Sequence, residues 1–252
     1  MRARLLLALA LLVTVAAPAG AGQTPRTLVL PILLYHRIDV LRPSLPAITR
    51  RLTVSPGDFA AQMEWLKRHG FHAVTELQAF DALERGAALP PKPVMITFDD
   101  GYRDVLWNAS PVLERLGLPA TSYVITGRIS GPDPSFLTWG ELDVLEQRGV
   151  AIGSHTVSHL PLTQLGSDQA LRELRDSRQA LEYHLGHPVR WFAYPYGAED
   201  SRIVALTAQA GYLLAVTTQG GTTQRGDQPL LLHREEVVDT TGVAGLAGLL
   251  GG

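Results

Sequence analysis

Val94-Met95-Ile96-Thr97-Phe98-Asp99-Asp100-Gly101-Tyr102 is an apolar run of strand length that ends in two adjacent carboxylates and a glycine. A run such as VMITF, without polar alternation, marks a strand covered on both faces, as in a parallel sheet. Adjacent carboxylates after such a run are costly if buried without partners. Neighbouring side chains at a strand end point in different directions. One acid can therefore bind a cation while the other faces a substrate or water. An Asx turn or a helix cap also accounts for Asp-Asp-Gly, and for these three residues alone it is the commoner explanation.

The surrounding sequence repeats strand then helix. Upstream, Leu28–Tyr35 (LVLPILLY) has strand length. Ser55-Pro56-Gly57-Asp58 then opens a helix, with Phe59, Met63 and Leu66 on one face and Gly70 behind it. Downstream, Ser110-Pro111 opens a helix ended by Gly117, and Ala120–Ile125 is a strand. Thr138-Trp139-Gly140-Glu141 is a capping box whose helix stops near Gly149, followed by a short strand at Val150–Gly153. Ser167–Leu185 is a long helix with Leu171, Leu174, Leu181 and Leu185 on one face. Val189–Tyr194 is strand-like, Ser201–Ala210 helical, and Leu213–Val216 and Leu230–Leu232 complete the strands. Thr240–Gly252 reads as a frayed helix. This alternation predicts right-handed βαβ units and a mainly parallel α/β sheet. About seven strands fit a barrel or a doubly wound open sheet, and both gather their chemistry at the carboxyl ends of strands. With no linker, repeat or composition break after residue 25, a single domain over 23–252 is expected.

Composition narrows the function classes. The 252 residues are 46% hydrophobic and 18% charged, which is globular, and the net charge of −2 gives no general field for nucleic acid. The absence of cysteine excludes disulfides, thiolate-held zinc and thiol nucleophiles. Residues 1–22 read as a signal peptide: Arg2 and Arg4, the 13-residue run Leu5–Ala17, then small residues suited to cleavage. That run is shorter than the ~20 apolar residues that span a bilayer. The expectation is an exported protein, periplasmic or extracellular, with no membrane span once the leader is removed.

Three more strand ends carry polar residues. Gly153-Ser154-His155-Thr156-Val157-Ser158-His159 places two histidines at i and i+4, which share a face on a helical turn and can hold one ion. Two hydrogen-bonded structural histidines fit a lone H-x-x-x-H at least as well. Two histidines plus a carboxylate would suit zinc and leave room for water. In Tyr194-Pro195-Tyr196-Gly197, proline and glycine fix a turn from which the Tyr196 N–H can face a cleft as an oxyanion donor. An aromatic turn closing the core competes with that. Leu34-Tyr35-His36-Arg37 offers His36 as a proton donor or as a structural residue. Trp139 suits core packing better than sugar stacking, and His69, His72, His184 and His187 read as structural.

In this order, T-F-D-D-G-Y (97–102), S-H-T-V-S-H (154–159) and Y-P-Y-G (194–197) resemble the polysaccharide deacetylase family with its NodB homology domain. The likeness spans roughly residues 30–240, and L-Y-H-R-I (34–38) is similar to its exopolysaccharide poly-N-acetylglucosamine subgroup. The resemblance implies a distorted (β/α) barrel of about seven strands and metal-assisted hydrolysis of an acetamide on an acetylated polysaccharide. It implies Asp99 as general base, Asp100, His155 and His159 as ligands of zinc or another divalent transition metal, the Tyr196 N–H as oxyanion donor and His36 as general acid. Three departures stand out. Ala193 occupies the position where many members carry an arginine that steadies the base. No late Asp-Trp pair is present. Leu232-His233-Arg234 fits either a late histidine motif, making His233 a second choice of acid, or the subgroup's ending, where the arginine is the marked residue. Arg37 and Arg103 are candidates to replace the missing arginine beside Asp99. An O-acetyl carbohydrate esterase and a non-catalytic carbohydrate-binding protein that keeps the ion site are the competing functions.

Overall fold

The computed structural model describes residues 25–251; the expected signal peptide lies outside the described residues. Seven strands form one curled parallel sheet. Across it lie Leu214–Val216, Trp191–Ala193, Val150–Ser154, Ala120–Val124, Pro93–Phe98, Ile32–Tyr35 and Glu235–Glu236. From Ile32–Tyr35 to Leu214–Val216 each strand lies beside the one before it in the chain, as short βαβ crossovers dictate. The open side is spanned by one segment. Leu232 bridges to Val216 on the last of these strands, and Glu235–Glu236 pairs with Leu33–Leu34 on the first. This is the distorted barrel expected from the sequence, in a single domain.

Period-two alternation sends each strand's side chains to two different layers. Leu33, Tyr35, Ile96 and Phe98 face outward to helices, where Phe59, Met63, Leu66, Leu113, Leu142 and Leu145 cover them. Ile32, Met95, Tyr123, Ala193, Leu214, Val216 and Leu232 fill the interior. Thr97 and Asp99 share the inward parity of Met95. The helix caps follow the sequence closely. The Ser55 hydroxyl accepts from the Asp58 N–H, Thr138 and Glu141 form the capping box, and Gly117, Gly186 and Gly211 end helices with positive φ.

Four expectations need correction. Leu28–Tyr35 is two strands, split before Pro31: Thr27–Val29 pairs antiparallel with Thr223–Arg225, outside the main sheet. The α-helix Ser110–Leu116 opens and ends where expected, but it does not start from a free cap, because a π-helical turn, Val105–Ala109, runs into it. Leu230–Leu232 contributes only the Leu232 bridge, and the paired strand is Glu235–Glu236. The C-terminal helix, Gly242–Leu249, is not frayed: Leu246 is buried and the Gln62 amide donates to the Gly242 carbonyl. Among the described residues no helix is long and apolar enough to cross a membrane.

Gly153 shows how tightly the interior is filled. A Cβ there would lie 2.4 and 2.6 Å from Cδ1 and Cε1 of Tyr123 and 3.1 Å from the Trp191 carbonyl oxygen. Gly153→Ala is expected to lower stability by about 1–3 kcal/mol, the usual cost of overpacking, read as a lower midpoint in urea.

Candidate active site

The carboxyl ends of four strands and the segment after the last helix crossover converge on one site. At the first end, Asp99 closes Pro93–Phe98, and its N–H donates to the Tyr35 carbonyl at 2.9 Å. Asp100 and Gly101 both take left-handed backbone, φ 74° and 78°. Gly101 also leaves no space for a side chain, since its Cβ would sit 3.0 Å from Val124. The turn separates the two acids: Asp99 stays in the barrel interior while Asp100 moves to its rim.

At the second end, His155 and His159 do meet, but not on a helical turn. Residues 155–159 form an irregular loop with left-handed backbone at Thr156 and His159. Glu173, from the long Ser167–Leu185 helix, accepts from the Val157 and Ser158 N–H groups at 2.9 and 2.8 Å, and the Thr156 hydroxyl accepts from the His159 N–H. These bonds replace the helical ladder and curl the loop so that the rings converge. The His155 and His159 Nε2 atoms are 3.1 Å apart, and Asp100 Oδ1 lies 3.5 and 3.4 Å from them.

This triangle fits a cation. Tetrahedral ligands at zinc–nitrogen and zinc–oxygen distances are about 3.3 Å from one another. His155 Nδ1 is 2.7 Å from the Ala193 carbonyl oxygen, so it carries the proton and Nε2 presents a lone pair. Burial holds the His155 imidazolium down to about pKa 3 and lowers His159 as well. Two neutral imidazoles therefore face each other across a short gap, with the His155 Nε2 lone pair pointing into it. Asp100 Oδ1 is buried without a hydrogen-bond partner. Burial, with the Asp99 charge adding to it and His36 opposing it, pushes the Asp100 carboxyl up to about 6. A divalent ion answers both costs, and these three are the metal-capable cluster among the described residues.

Behind the triangle, Arg234 grips Asp99. Its Nη1 and Nη2 donate to the two carboxylate oxygens at 2.8 and 2.6 Å, with both side chains buried. Nε donates to the Thr217 carbonyl and Nη1 also to the Thr97 hydroxyl. Burial alone would raise the Asp99 carboxyl, but the charges of Arg234 and His155 outweigh it and bring it to about 2. Arg234 thus supplies a guanidinium beside Asp99 where position 193 carries none, and the small, buried Ala193 shares its interior. Arg37 and Arg103, the replacements considered from sequence, do not touch Asp99: Arg37 pairs with Asp104 at 2.9 Å and Arg103 with Glu141 at 2.7 Å.

The remaining candidates divide. His36 follows Tyr35, which is in register with Phe98, and so faces Asp99 across the strand ends; its Nδ1 is buried without a partner among the described residues. His233 points the other way from Arg234. Its N–H donates to Gln224, and its Nδ1 would be 2.7 Å from a Cβ on Gly221, away from the acids. Tyr196 has φ 60°, and its ring lies 4.6 Å from the His159 ring. Gly197 is obligatory, since a Cβ there would meet Thr218 Oγ1 at 2.1 Å. Trp139 is half-buried, packed against the core beside His184. A cleft of about 370 Å³ opens beside Asp100 and His159, walled by Arg37, Tyr102, Arg128 and Phe136. Glu173 escaped the sequence analysis because a helix-face acid carries no local sign of the loop it serves.

The comparisons agree with this geometry. The family model described as polysaccharide deacetylase matches residues 86–215. YxkH of Bacillus subtilis, named as a candidate polysaccharide deacetylase, is 32% identical over 225 residues, covering 89% of this chain and 76% of that protein. A poly-beta-1,6-N-acetyl-D-glucosamine N-deacetylase of Staphylococcus epidermidis is 28% identical over 195 residues, 69% of this chain and 67% of that one. Among solved structures, the Streptococcus pyogenes deacetylase PplD in complex with acetate matches with a TM-score of 0.82 at 29% identity, covering 90% of this chain and 99% of that chain. IcaB from Ammonifex degensii matches at 0.77 and 28% identity, covering 88% and 97%. With the Asp-Asp turn, the two-histidine loop and the curled parallel sheet all in place, the chain belongs to the polysaccharide deacetylase family and is a hydrolase of that kind.

Proposed function

We propose that this hydrolase removes N-acetyl groups from a polysaccharide containing N-acetylglucosamine, with zinc held by Asp100, His155 and His159. The observation that carries the proposal is the 3.1–3.5 Å triangle of ligand atoms set directly beside an Arg-clamped carboxylate. The relative named for poly-beta-1,6-N-acetyl-D-glucosamine supports the substrate class. Residues 1–22 act as an export leader in this proposal, which places the enzyme where such polymers lie.

The chain's own residues divide the work. Asp99, kept ionised by Arg234, accepts the proton of the attacking water. A carboxylate near pKa 2 is a weak base, so it needs the Lewis acidity toward water and the amide carbonyl that zinc supplies when bound. The Tyr196 N–H has no acceptor among the described residues and sits in a turn whose strained φ is fixed by Pro195 and Gly197; it donates to the developing oxyanion. His36, across the strand end from Asp99, protonates the departing amine as the C–N bond breaks and acetate leaves. His233, turned toward Gly221, is not needed.

Elemental analysis of the purified chain should give about one zinc per molecule, with acetate released from N-acetylglucosamine oligomers faster than from acetylated xylan. His155→Ala should lose both the ion and the release, since three protein ligands are the minimum that zinc sites of this kind use. Undiminished acetate release from His155→Ala would overturn the proposal. Release from the xylan alone would make the enzyme an esterase.

A further inference from the structure

The barrel interior contains a buried tyrosine and a buried acid that the proposed reaction does not use. Arg234 offers five N–H donors. Four are accounted for: Nε to the Thr217 carbonyl, one Nη1 hydrogen to Asp99 and the other to Thr97, and one Nη2 hydrogen to Asp99. The fifth has no hydrogen-bond acceptor among the described residues. The Tyr123 ring lies against the guanidinium, with the guanidinium carbon 5.8 Å from its centroid, within the range where an aromatic face attracts a cation. Both residues are about 1% exposed, so water does not compete for that hydrogen.

The ring itself is held from two sides. One edge lies on the Gly153 backbone, where a Cβ could not fit. Gly153 is two residues before His155, so the same ring supports the strand that delivers a ligand. At the far end the Tyr123 hydroxyl donates to Glu76 Oε1 at 3.3 Å. Glu76 is buried in the interior with no cation beside it among the described residues, and burial pushes its carboxyl above the usual range. A buried acid without a counter-charge costs stability. Its carboxyl is shared between this hydroxyl and the Thr121 side chain.

We propose that Tyr123 is a positioning residue: its ring, anchored by Glu76, is the fifth partner of Arg234 and keeps the guanidinium bidentate on Asp99. The inference rests on Asp99 being the base. Losing the ring lets the guanidinium tilt, and small misplacements of this sort cost about 10- to 100-fold in turnover. Tyr123→Leu should therefore lower kcat by roughly 10- to 30-fold with KM within about twofold and zinc content unchanged, while Tyr123→Phe keeps the ring and stays within about threefold.

The decisive experiment is a double-mutant cycle joined to arginine side-chain NMR. In an Arg234→Lys background, Tyr123→Leu should cost less than about threefold further, because the two act as a unit. A slowly exchanging guanidinium resonance of Arg234 should be sharp in wild type and Tyr123→Phe and broadened in Tyr123→Leu. Additive losses, or an unchanged resonance in Tyr123→Leu, would overturn the inference while leaving Asp99 as base. If Asp99→Asn releases acetate like wild type, the base assignment fails instead, and the resonance still decides whether Tyr123 holds Arg234. Should Tyr123→Leu not fold, Tyr123→Met serves in both readouts.

Discussion

Asp99→Asn will abolish most acetate release while leaving the metal site loaded. Removing a positioned base typically costs about 10²- to 10⁴-fold, and we expect kcat to fall within that range with KM little changed. The variant keeps Asp100, His155 and His159, so zinc content should equal that of wild type. It also costs stability. Arg234 presents two N–H groups to the two Asp99 oxygens, and an asparagine offers one oxygen and one NH2. One guanidinium N–H then meets another donor, and a buried cation loses its counter-charge, a change of about 3–5 kcal/mol in buried pairs. A lower urea midpoint with full zinc content and lost turnover would place Asp99 in the chemistry. Lost zinc would instead make it part of the ion site. Turnover near wild type would remove it from the mechanism.

What the sequence could show depended on how local the cause was. Helix starts and stops were legible because caps are written in adjacent residues: Ser55 with Asp58, Thr138 with Glu141, glycine after Leu116, Leu185 and Ala210. The buried parallel strands were legible because both faces are covered and the apolar runs are unbroken. The sheet's closure was not, since Leu230–Leu232 reads as a strand yet gives one edge only the Leu232 bridge, while Glu235–Glu236, which pairs with the other edge, has no strand's pattern. The triangle of Asp100, His155 and His159 could be anticipated as a set. Its means of assembly could not: the histidine pair at i and i+4 suggested a helical turn, yet the loop is shaped by Glu173 from a distant helix. Arg234 illustrates the same limit. Sequence showed that residue 193 was not arginine and that Arg234 stood in a marked motif, but nothing local tied it to Asp99, and Arg37 and Arg103 stood as the candidates instead. Only the parity of the inward strand faces brings residue 234 to residue 99, 135 positions away.

Backbone strain is concentrated where these pieces meet. Of the six non-glycine residues with positive φ among those described, four are Asp100, Thr156, His159 and Tyr196. Such conformations cost on the order of 1–3 kcal/mol each and persist where surrounding structure enforces them. Here the enforcement is visible in Gly101 against Val124, Thr156 and Glu173 under the histidine loop, and Gly197 against Thr218. The strain is stored in the turns that aim Asp100, His159 and the Tyr196 N–H, while the strands below them are regular.

Arg234→Met tests the other half of the buried pair, and its effect should depend on pH in a defined direction. In wild type the folded Asp99 carboxyl, near 2, lies below its ordinary value. That lowering contributes stability present above the unfolded pKa of about 4 and lost as pH falls from there toward 2. In Arg234→Met the largest remaining influence is burial, which raises the carboxyl above its ordinary value. The sign then reverses: the folded state takes up a proton more readily than the unfolded chain, and stability declines as pH rises from about 4. The wild-type and variant stabilities should differ by about 3–5 kcal/mol near pH 7.5, the cost of orphaning a buried charge, and converge as pH falls toward 3. Urea unfolding of both proteins across that range measures it. Acetate release should fall by about 10²-fold near neutral pH, because Asp99 loses the bidentate partner that holds its carboxylate in position for the water's proton. A stability gap that stayed constant with pH would mean that Arg234 contributes packing, not charge, and that Asp99 is kept ionised by something else.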